Sequence, residues 1–469
     1  MNTTTSSTAF PLAGTAPMPS APAQFALPLP VERQALAQGW LALALLALVG
    51  SGLFSVLLVL ARTPVVNAWL PGTDFFRTAL VVHVDLSVLV WFVAIAGLLW
   101  SSQMRTRHEG IGWGALALAG AGAGMMALAP FADPGTPVMA NYIPVLESRL
   151  FLAGLGLFGL GTLLLVLPAL VSPLRRDRLD GAHALRFGLQ AAAIATAVAL
   201  GAFAWSLAVV PRALDSRAYW EIVFWGGGHA LQFAWTLLML IGWLWLAHAA
   251  GARVPLSARI ALGLFGIALA GVAGTPAAYL LHDVLSPAHR ALNTWGMRVG
   301  GGLAILPVAL AVAIALLRQR AITPEARPLR AALVASMGLF AAGGLIGLAI
   351  NGSNVRIPAH YHGCIVGVTL ALMGLVFHLL PRLGGQAPRG RLAVMQPLLY
   401  GAGQLMHIIG LVWSGGYGVQ RKVAGAEQVL RTPGEVFGMG LMGLGGAVAI
   451  AGGLLFVVVV LRAWRAPAK

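Results

Sequence analysis

The sequence predicts an all-α polytopic membrane protein, built as a bundle of twelve transmembrane helices. Of its 469 residues, 59% are hydrophobic and 9% are charged, whereas soluble domains contain about 25% charged residues. Apolar runs of about 20 residues, long enough to cross a hydrocarbon core of about 30 Å, recur along the chain. They lack the short alternating pattern that is typical of membrane β-barrels.

Twelve such runs, here called segments 1 to 12, follow one another along the chain. They are residues 40–61, 78–100, 111–131, 149–171, 186–209, 222–247, 260–282, 299–317, 331–351, 359–381, 394–414 and 436–462. Residues 36–463 are therefore predicted to form one domain. Residues 1–35 are rich in Thr, Ser, Ala and Pro and are predicted to be a disordered cytoplasmic segment. Residues 464–469 are predicted to be a cytoplasmic tail.

The net charge of +16 does not indicate a nucleic-acid partner, because of where the cationic residues lie. With the N-terminus inside, the even-numbered loops collect most of the arginines, including Arg105, Arg253 and Arg318. The positive-inside rule then predicts cytoplasmic termini. The expected location is a bacterial-type inner (cytoplasmic) membrane, with lipid as a partner. Arg421 and Lys422 stand together on the opposite side and need a separate explanation.

Five of the eleven histidines are predicted to lie at one depth, in the outer leaflet. They stand in the first two turns of segments 2, 6 and 10 and at the end of segment 7: His83, His229, His360, His362 and His282. Polar side chains are costly in hydrocarbon and indicate function there. Neutral imidazole is the commonest metal ligand, so this cluster predicts a bound metal or haem.

The remaining histidines carry less information. Four of them, in inside loops or near the inner ends of segments, are interpreted as interfacial or packing residues: His108, His183, His248 and His378. His289 lies in an outside loop. His407 lies inside segment 11 and is ambiguous. The one cysteine, Cys364, excludes an intramolecular disulfide and a cysteine-based metal cage.

The motif AHYHGC places His360 and His362 two residues apart in segment 10. Each helical residue turns the chain by about 100°, so these two imidazoles face opposite sides of the helix. Haem iron commonly takes an axial histidine. A single helix between two flat cofactors could ligate both, and the spacing therefore favours two haems.

Segment 10, AHYHGCIVGVTLALMGLVFHLLPRLGG, resembles the tenth helix of the haem–copper oxidase catalytic subunit, which is cytochrome c oxidase subunit I-like. The twelve segments, the histidines of segments 2 and 6, the stretch WGGGHALQF and the basic pair fit the same superfamily. The resemblance implies that His83 and His362 bind a low-spin haem and that His360 binds a high-spin haem. It also implies that His229 binds a non-haem metal.

The resemblance further implies that Arg421 and Lys422 hold haem propionates, since charge-assisted bonds to carboxylates offset the cost of cations on this side. The implied cofactors are two haems, expected to be of b type, and one non-haem metal, Fe or Cu. No CxxCH motif occurs in the sequence. The electron donor is therefore expected to be a partner subunit or protein that carries haem c or copper.

The chain departs from the family pattern in segment 7, where members usually carry two adjacent histidines. The sequence TPAAYLLHDVLSP aligns this pair with His282 and Asp283, which predicts a metal site of His229, His282 and Asp283. Two histidines and one carboxylate are typical of non-haem Fe(II). Copper remains an alternative.

A second departure concerns a tyrosine that oxygen-reducing members usually carry four residues after the histidine of segment 6. Phe233 stands at this position. Tyr279, one turn before His282, could substitute for it, although its spacing matches poorly. Gln232, near His229, is expected either to hydrogen-bond in the pocket or to pack between helices.

The membrane-level acids, Asp85, Glu221 and Asp283, are all predicted on the outer side, and Asp85 or Glu221 is expected to relay protons. The departures resemble the nitric oxide reductase branch and predict reduction of NO to N2O with outside protons and little or no pumping. Reduction of O2 to water is the alternative. A non-catalytic haem protein that senses or carries electrons, and a transporter, are further alternatives from other classes.

Overall fold

The twelve predicted segments are confirmed as helices in the computed structural model, which describes residues 24–69, 74–172, 179–424 and 427–465. Each segment overlaps one helix that is long and apolar enough to cross a membrane. These helices, α1 to α12, are Gln34–Arg62, Phe75–Gln103, Thr106–Ala132, Arg149–Leu170, Gly181–Val209, Ser216–Ala249, Ala258–Leu281, Pro287–Arg318, Ala326–Leu348, Arg356–Leu383, Gly390–Gly416 and Pro433–Arg465. Helices satisfy their backbone groups internally, as hydrocarbon requires.

Three helices form the centre of the bundle. The most apolar part of α2, α6 and α10 is 67%, 89% and 83% buried, against 33% to 39% for the other nine helices. The outer helices instead expose large apolar side chains such as Leu306, Leu348 and Leu454, which suits a lipid environment. The three central helices are also those that carry His83, His229 and the AHYH motif.

Several of the helices are locally irregular. In α2 a π-helical turn, Asp85–Val90, follows Asp74–Val84 and precedes Trp91–Gln103. Helix α7 divides into Ala258–Val272 and Gly274–Leu281. Helix α8 contains a π-helical turn, Met297–Gly301, and α10 ends in a 3₁₀ turn, Leu380–Leu383. Such π turns are frequent at functional sites.

A short β-hairpin lies between α3 and α4. Its strands, β1 (Thr136–Val138) and β2 (Val145–Glu147), are antiparallel, with Pro137 opposite Leu146. We call the side of the bundle that carries this hairpin the hairpin face, and the side that carries the two chain ends the terminal face. The first turn of α2 contacts the loop before α12 on the hairpin face, through the Arg77–Glu427 ion pair at 2.8 Å.

The N-terminal segment differs from the predicted disorder in its described part. Residues 1–23 lie outside the described residues, as do 466–469 of the predicted tail and the basic loop 173–178. From residue 24 onwards the chain packs on the terminal face. The Gln24 side chain donates to the Val254 carbonyl at 2.7 Å. Phe25 and Leu27 are fully buried, so their apolar surface explains why this part is ordered.

Candidate active site

Four histidines share one hydrogen-bonding arrangement. The Nδ1 atoms of His83, His229, His360 and His407 lie 2.7 to 3.0 Å from backbone carbonyls of Ser51, Trp225, Gly343 and Met442, respectively. A carbonyl can only accept, so Nδ1 carries the proton and Nε2 keeps a lone pair. Metal-binding histidines are usually oriented by such a bond at their other nitrogen. These side chains therefore have the tautomer that a metal or haem iron requires.

His360 and His362 contact different neighbouring helices, as their spacing predicts. His360 Nδ1 bonds the Gly343 carbonyl of α9 at 2.8 Å. The ring of His362 instead lies 5.0 Å from that of His407 on α11. Within the described part of the chain the nitrogens of His362 make no hydrogen bond. Helix α10 thus presents one imidazole on each side, which fits an axial ligand for each of two haems.

The region around His362 gathers further groups of the predicted low-spin haem site. His83, His407 and Arg62 lie within range of electrostatic interaction with His362. The Oγ atom of Ser51 also lies 3.0 Å from His83 Nδ1. His83 keeps Nε2 free and His362 lacks a partner, so this pair has the donor chemistry for the haem. Sequence analysis left His407 ambiguous, and the structure places it at this site.

His229 contacts a tyrosine that the sequence analysis did not consider. The hydroxyl of Tyr142, from the hairpin between α3 and α4, lies 2.9 Å from His229 Nε2. Because Nδ1 donates to the Trp225 carbonyl, Nε2 must accept, and the phenol donates. Thr294 Oγ1 lies 3.5 Å from the same nitrogen. Nε2, the nitrogen of His229 that would bind a metal, thus accepts a hydrogen bond from the Tyr142 phenol.

The glycines of the stretch WGGGH make room for this contact. A Cβ atom on Gly228 would lie 2.3 Å from Cγ of Tyr142, and one on Gly226 would lie 2.6 Å from the Tyr279 ring. Real Cβ atoms essentially never come so close to another atom. The glycines therefore let two tyrosine rings pack against α6 just before His229.

The predicted metal set of His229, His282 and Asp283 is not assembled. Helix α7 ends at Leu281, and His282 is in an extended conformation. Asp283 is exposed, and its Oδ1 accepts from the Leu285 amide at 2.8 Å. Over residues 24–69, 74–172, 179–424 and 427–465, no three His, Cys, Asp or Glu side chains form a group that could hold a metal ion. Asp283 lies beyond the end of α7, in the turn that leads to α8.

His289 is the histidine that the structure brings to this region instead. Its side chain is fully buried, and its Nδ1 has no hydrogen-bond partner among the described residues. The ring packs edge-on against Tyr279 at 4.6 Å between centroids. His229 and His282 both lie within range of electrostatic interaction with it. Imidazoles suit iron and copper, so His229 and His289 have the donor chemistry for the non-haem metal.

A sequence signal for His289 was present. Ser286 is the N-cap of α8 and its Oγ accepts from the His289 amide at 3.1 Å, while Pro287 occupies the first turn. Serine followed by proline is a typical helix start. The stretch SPAH could thus have placed this histidine on a helix rather than in an outside loop.

The side chains of Tyr279 and Phe233 contact groups other than His229. The Tyr279 hydroxyl lies 2.7 Å from Ser206 Oγ, so it is bonded to α5 and not to His229. The ring of Phe233 packs between Gly271 and Gly300 of α7 and α8. The side-chain oxygen of Gln232 is buried without a hydrogen-bond partner among the described residues. The predicted pocket hydrogen bond of Gln232 is therefore not formed to that oxygen.

Arg421 and Lys422 contact the hairpin through one residue, Asn141. Both cations lie 3.3 Å from Asn141 Oδ1, and Lys422 also donates to the Met139 carbonyl at 2.5 Å. Glu221 accepts from the Asn141 amide at 2.9 Å and from its side chain at 2.5 Å. Asn141, missed by the sequence analysis, thus connects the basic pair to Glu221.

The backbone and environment of Lys422 are both unusual. Its φ of 64° is left-handed, a conformation that costs a non-glycine residue roughly 1 kcal/mol and clusters at functional sites. Burial, followed by the charge of Arg421, lowers the pKa of its ammonium to about 8. A carboxylate beside it would offset that cost, and a haem propionate has this chemistry.

Asp85 lies two residues after His83, in the π-helical turn of α2. It is 1% exposed, and its Oδ2 has no hydrogen-bond partner within the described chain. A buried charged carboxylate without partners is very costly. The proton relay through Asp85 stays a prediction, and no hydrogen bond among the described residues connects Asp85 to Glu221.

Comparisons with known proteins agree with this architecture. The profile of the family described as "Cytochrome C and Quinol oxidase polypeptide I" matches residues 35–463. An uncharacterized protein of Rickettsia prowazekii is 28% identical over 91% of this chain and 96% of its own length. An uncharacterized protein of Aquifex aeolicus is 27% identical over 75% of this chain and 86% of its own. A cryo-EM structure of a heme-copper terminal oxidase dimer has a TM-score of 0.74 at 18% identity, covering 93% of this chain and 85% of that one.

Proposed function

Because the chain belongs to the cytochrome c and quinol oxidase polypeptide I family, we propose that it is the catalytic subunit of a respiratory reductase that converts nitric oxide to nitrous oxide. It is a multi-pass membrane protein of the haem–copper oxidase type, and its membership of this family indicates that it is an oxidoreductase. Its location would be a bacterial-type inner membrane with both termini in the cytoplasm, so that the hairpin face lies outside.

The histidines would divide the cofactors among them. His83 and His362 would hold a low-spin haem, and His360 a high-spin haem, both of b type. His229 and His289, with His282 beside them, would hold iron or copper. When bound, these groups supply the electrons and the Lewis acid that N–N coupling needs. The electrons would come from a partner that carries haem c or copper.

One observation carries the choice of nitric oxide. No tyrosine from a transmembrane helix among the described residues hydrogen-bonds His229, since position 233 is a phenylalanine and Tyr279 bonds Ser206. Two NO, two electrons and two protons give one N2O and one water. This reaction needs no side chain as an extra electron source, whereas cleavage of O2 takes four electrons.

The carboxylates support a proton supply from the hairpin face. Glu221 is half-buried in the first turns of α6 and bonds Asn141 of the loop. The chain has two lysines, Lys422 and Lys469, and neither lies in the inner half of a span. Proton relays within membranes usually consist of ionisable groups. The position of Glu221 on the hairpin face, and of both lysines outside the inner halves of the spans, therefore supports little or no proton pumping.

Reduction of O2 is the second candidate, and the Tyr142–His229 hydrogen bond favours it. A phenol 2.9 Å from a ligand nitrogen could supply one electron and one proton during O–O cleavage. The hairpin would then provide a tyrosine that is hydrogen-bonded to His229, which segments 6 and 7 do not.

The deciding experiment measures substrate use by the purified complex with an artificial reductant. We expect anaerobic NO consumption with one N2O formed for every two NO, and slower O2 consumption. Fast O2 consumption without N2O would instead select the second candidate. Metal analysis is the control: a protein with two haems, no third metal and no turnover would be a non-catalytic haem protein.

A further inference from the structure

A cavity on the terminal face has the properties of a site for a phosphate group. Its volume is about 540 Å³, and small-molecule sites usually measure about 300–1,000 Å³. We propose that it binds the headgroup of an anionic phospholipid, with Arg105 and Arg186 as partners of the phosphate. The histidines of the proposed haem and metal sites lie towards the other end of the bundle, so this inference does not depend on which gas is reduced.

The cavity is enclosed by the ends of three transmembrane helices and by the chain before α1. The last turn of α2, the last turn of α4 and the second and third turns of α5 form its walls, and Pro28 and Pro30 also line it. Helix ends on one side of a bundle mark the level where the hydrocarbon core gives way to lipid headgroups. A ligand of this cavity would therefore lie at headgroup depth.

Hydrogen bonds between the three helices fix the walls. The Trp100 indole of α2 donates to the Leu189 carbonyl of α5 at 2.9 Å. The Gln190 side chain of α5 donates in turn to the Leu170 carbonyl of α4 at 2.9 Å. Trp100 and Leu189 are each 3% exposed, so the first of these bonds is shielded from water. The cavity is thus preformed, and ligand binding would cost little ordering of the protein.

Arg186 carries a charge that the described residues do not neutralise. It is half-buried in the wall of the cavity, and its one hydrogen bond to a described residue runs from Nε to Gln103 Oε1 at 3.4 Å. The exposed Arg105 guanidinium forms no hydrogen bond or ion pair within the described chain, and Glu32, the acidic residue of the lining, pairs with neither arginine. A partly buried cation is stabilised by an anion, because burial removes part of its hydration.

Arg33, the third arginine of the lining, already has its partners. It is 5% exposed, and its guanidinium bonds Glu109 at 3.1 Å and Thr106 Oγ1 at 2.8 Å. This ion pair joins the start of α1 to the start of α3 and holds the two helices together. Arg105 and Arg186 are therefore the cations that remain for a ligand.

The lining fits a phosphate group with an apolar body better than a free phosphate ion. Guanidinium groups bind phosphate oxygens through pairs of parallel N–H bonds. Much of the remaining lining is apolar, since Trp100, Met104, Ala169 and Leu189 are 3% to 5% exposed, and the glycerol and first acyl carbons of a phospholipid would cover this surface. Basic pockets between transmembrane helices bind anionic headgroups on the cytoplasmic side, which is the proposed location of the terminal face.

The test counts lipids on the purified complex with its haems in place. The complex is delipidated in detergent and titrated with phosphatidylglycerol or with phosphatidylcholine, and the bound molecules are counted by native mass spectrometry. Hydrogen bonds to charged groups are worth about tenfold or more in affinity. We therefore expect one phosphatidylglycerol to bind about tenfold more tightly than phosphatidylcholine, and inorganic phosphate at the same concentration not to displace it.

Three variants and a matched control locate the bound lipid. Arg186→Gln should weaken phosphatidylglycerol binding by about tenfold, and Arg105→Gln should weaken it less, because that side chain is exposed. Ser172→Phe should also weaken it, since it adds a ring to the lining without removing a charge. Arg318→Gln removes the same charge at the end of α8 but lies outside the cavity, so it should bind the lipid as wild type does. The haem spectra of all four should match wild type.

An affinity of Arg186→Gln equal to that of Arg318→Gln would overturn the proposal, and so would equal binding of the two lipids by the wild type. Displacement of phosphatidylglycerol by inorganic phosphate at the same concentration would assign the cavity to a soluble phosphate compound and refute the lipid. If Arg186→Gln loses its haems through misfolding, Ser172→Phe decides: wild-type affinity in this variant would place the lipid elsewhere on the protein.

Discussion

The imidazole rings of His362 on α10 and His407 on α11 lie 5.0 Å apart between centroids. His407 donates its Nδ1 proton to the Met442 carbonyl at 3.0 Å, and His362 makes no hydrogen bond within the described chain. Two imidazoles thus stand with His83 at the predicted low-spin haem site, and the proposed haem would take only one of them as a ligand beside His83.

We expect His362→Ala to abolish the low-spin bis-histidine absorption and its electron paramagnetic resonance signal. His407→Ala should keep that signal and only lower the haem's reduction potential or retention, because it removes a neighbour rather than a ligand. The measurement is the spectrum of each purified variant. A signal lost in His407→Ala and kept in His362→Ala would transfer the ligand role to α11.

The non-haem metal should depend on His289 rather than on Asp283. His289 is fully buried with a free Nδ1, whereas Asp283 is exposed and caps a turn. Even residues that only support metal ligands change affinity by about 10- to 100-fold. We therefore expect His289→Ala to reduce metal occupancy at least tenfold, and Asp283→Asn to leave it within about twofold of wild type, as measured by elemental analysis. The reverse order would restore the predicted carboxylate ligand.

Haem retention should depend on pH through Lys422. Its pKa of about 8 means that the haem-free protein loses this proton as pH rises through 8. Above that pH the site must take up a proton to pair with a propionate, so haem affinity should fall by about tenfold per pH unit. Below pH 7 it should be constant.

Lys422→Arg is the control for this pH dependence, because arginine stays charged. Haem release into detergent between pH 7 and 9.5 would show a flat profile in the variant. An identical slope in both proteins would exclude Lys422 as the titrating group.

The contact between α9 and α10 should tolerate no additional atoms at Gly343. A Cβ there would lie 2.5 Å from the Cys364 amide nitrogen, while one on Gly338 of the same helix meets nothing within 4 Å. Overpacking typically costs about 1–3 kcal/mol. We expect Gly343→Ala to lower the melting temperature and to displace His360, whose Nδ1 bonds the Gly343 carbonyl, with loss of the high-spin haem spectrum. Gly338→Ala should match wild type in both measurements.

The fold could be predicted from the sequence because hydrocarbon permits few backbone structures. Histidines inside long helices were also predictable, since residue number gives depth along a helix. The turn of about 100° per residue also predicted that His360 and His362 face different helices.

The residues near helix ends and in loops were less predictable. Asp283 was assigned by counting along α7, but the helix ends at Leu281, so the count no longer gave a position in space. Tyr142 is brought to His229 by bonds of its neighbour Asn141 to Glu221 and Lys422. These partners are far apart in sequence, and no periodicity relates them.

The position of His229, Tyr142 and Glu221 near the hairpin face has an energetic consequence. On the proposed route, electrons from an outside donor and protons from outside water meet on the same side, so no net charge crosses the membrane. A transmembrane voltage of 100 mV acts with about 2.3 kcal/mol on each charge that crosses, and on the proposed route none does. Turnover would therefore continue at full rate in a fully energised cell, where charge-moving enzymes slow down, and its free energy would be released as heat.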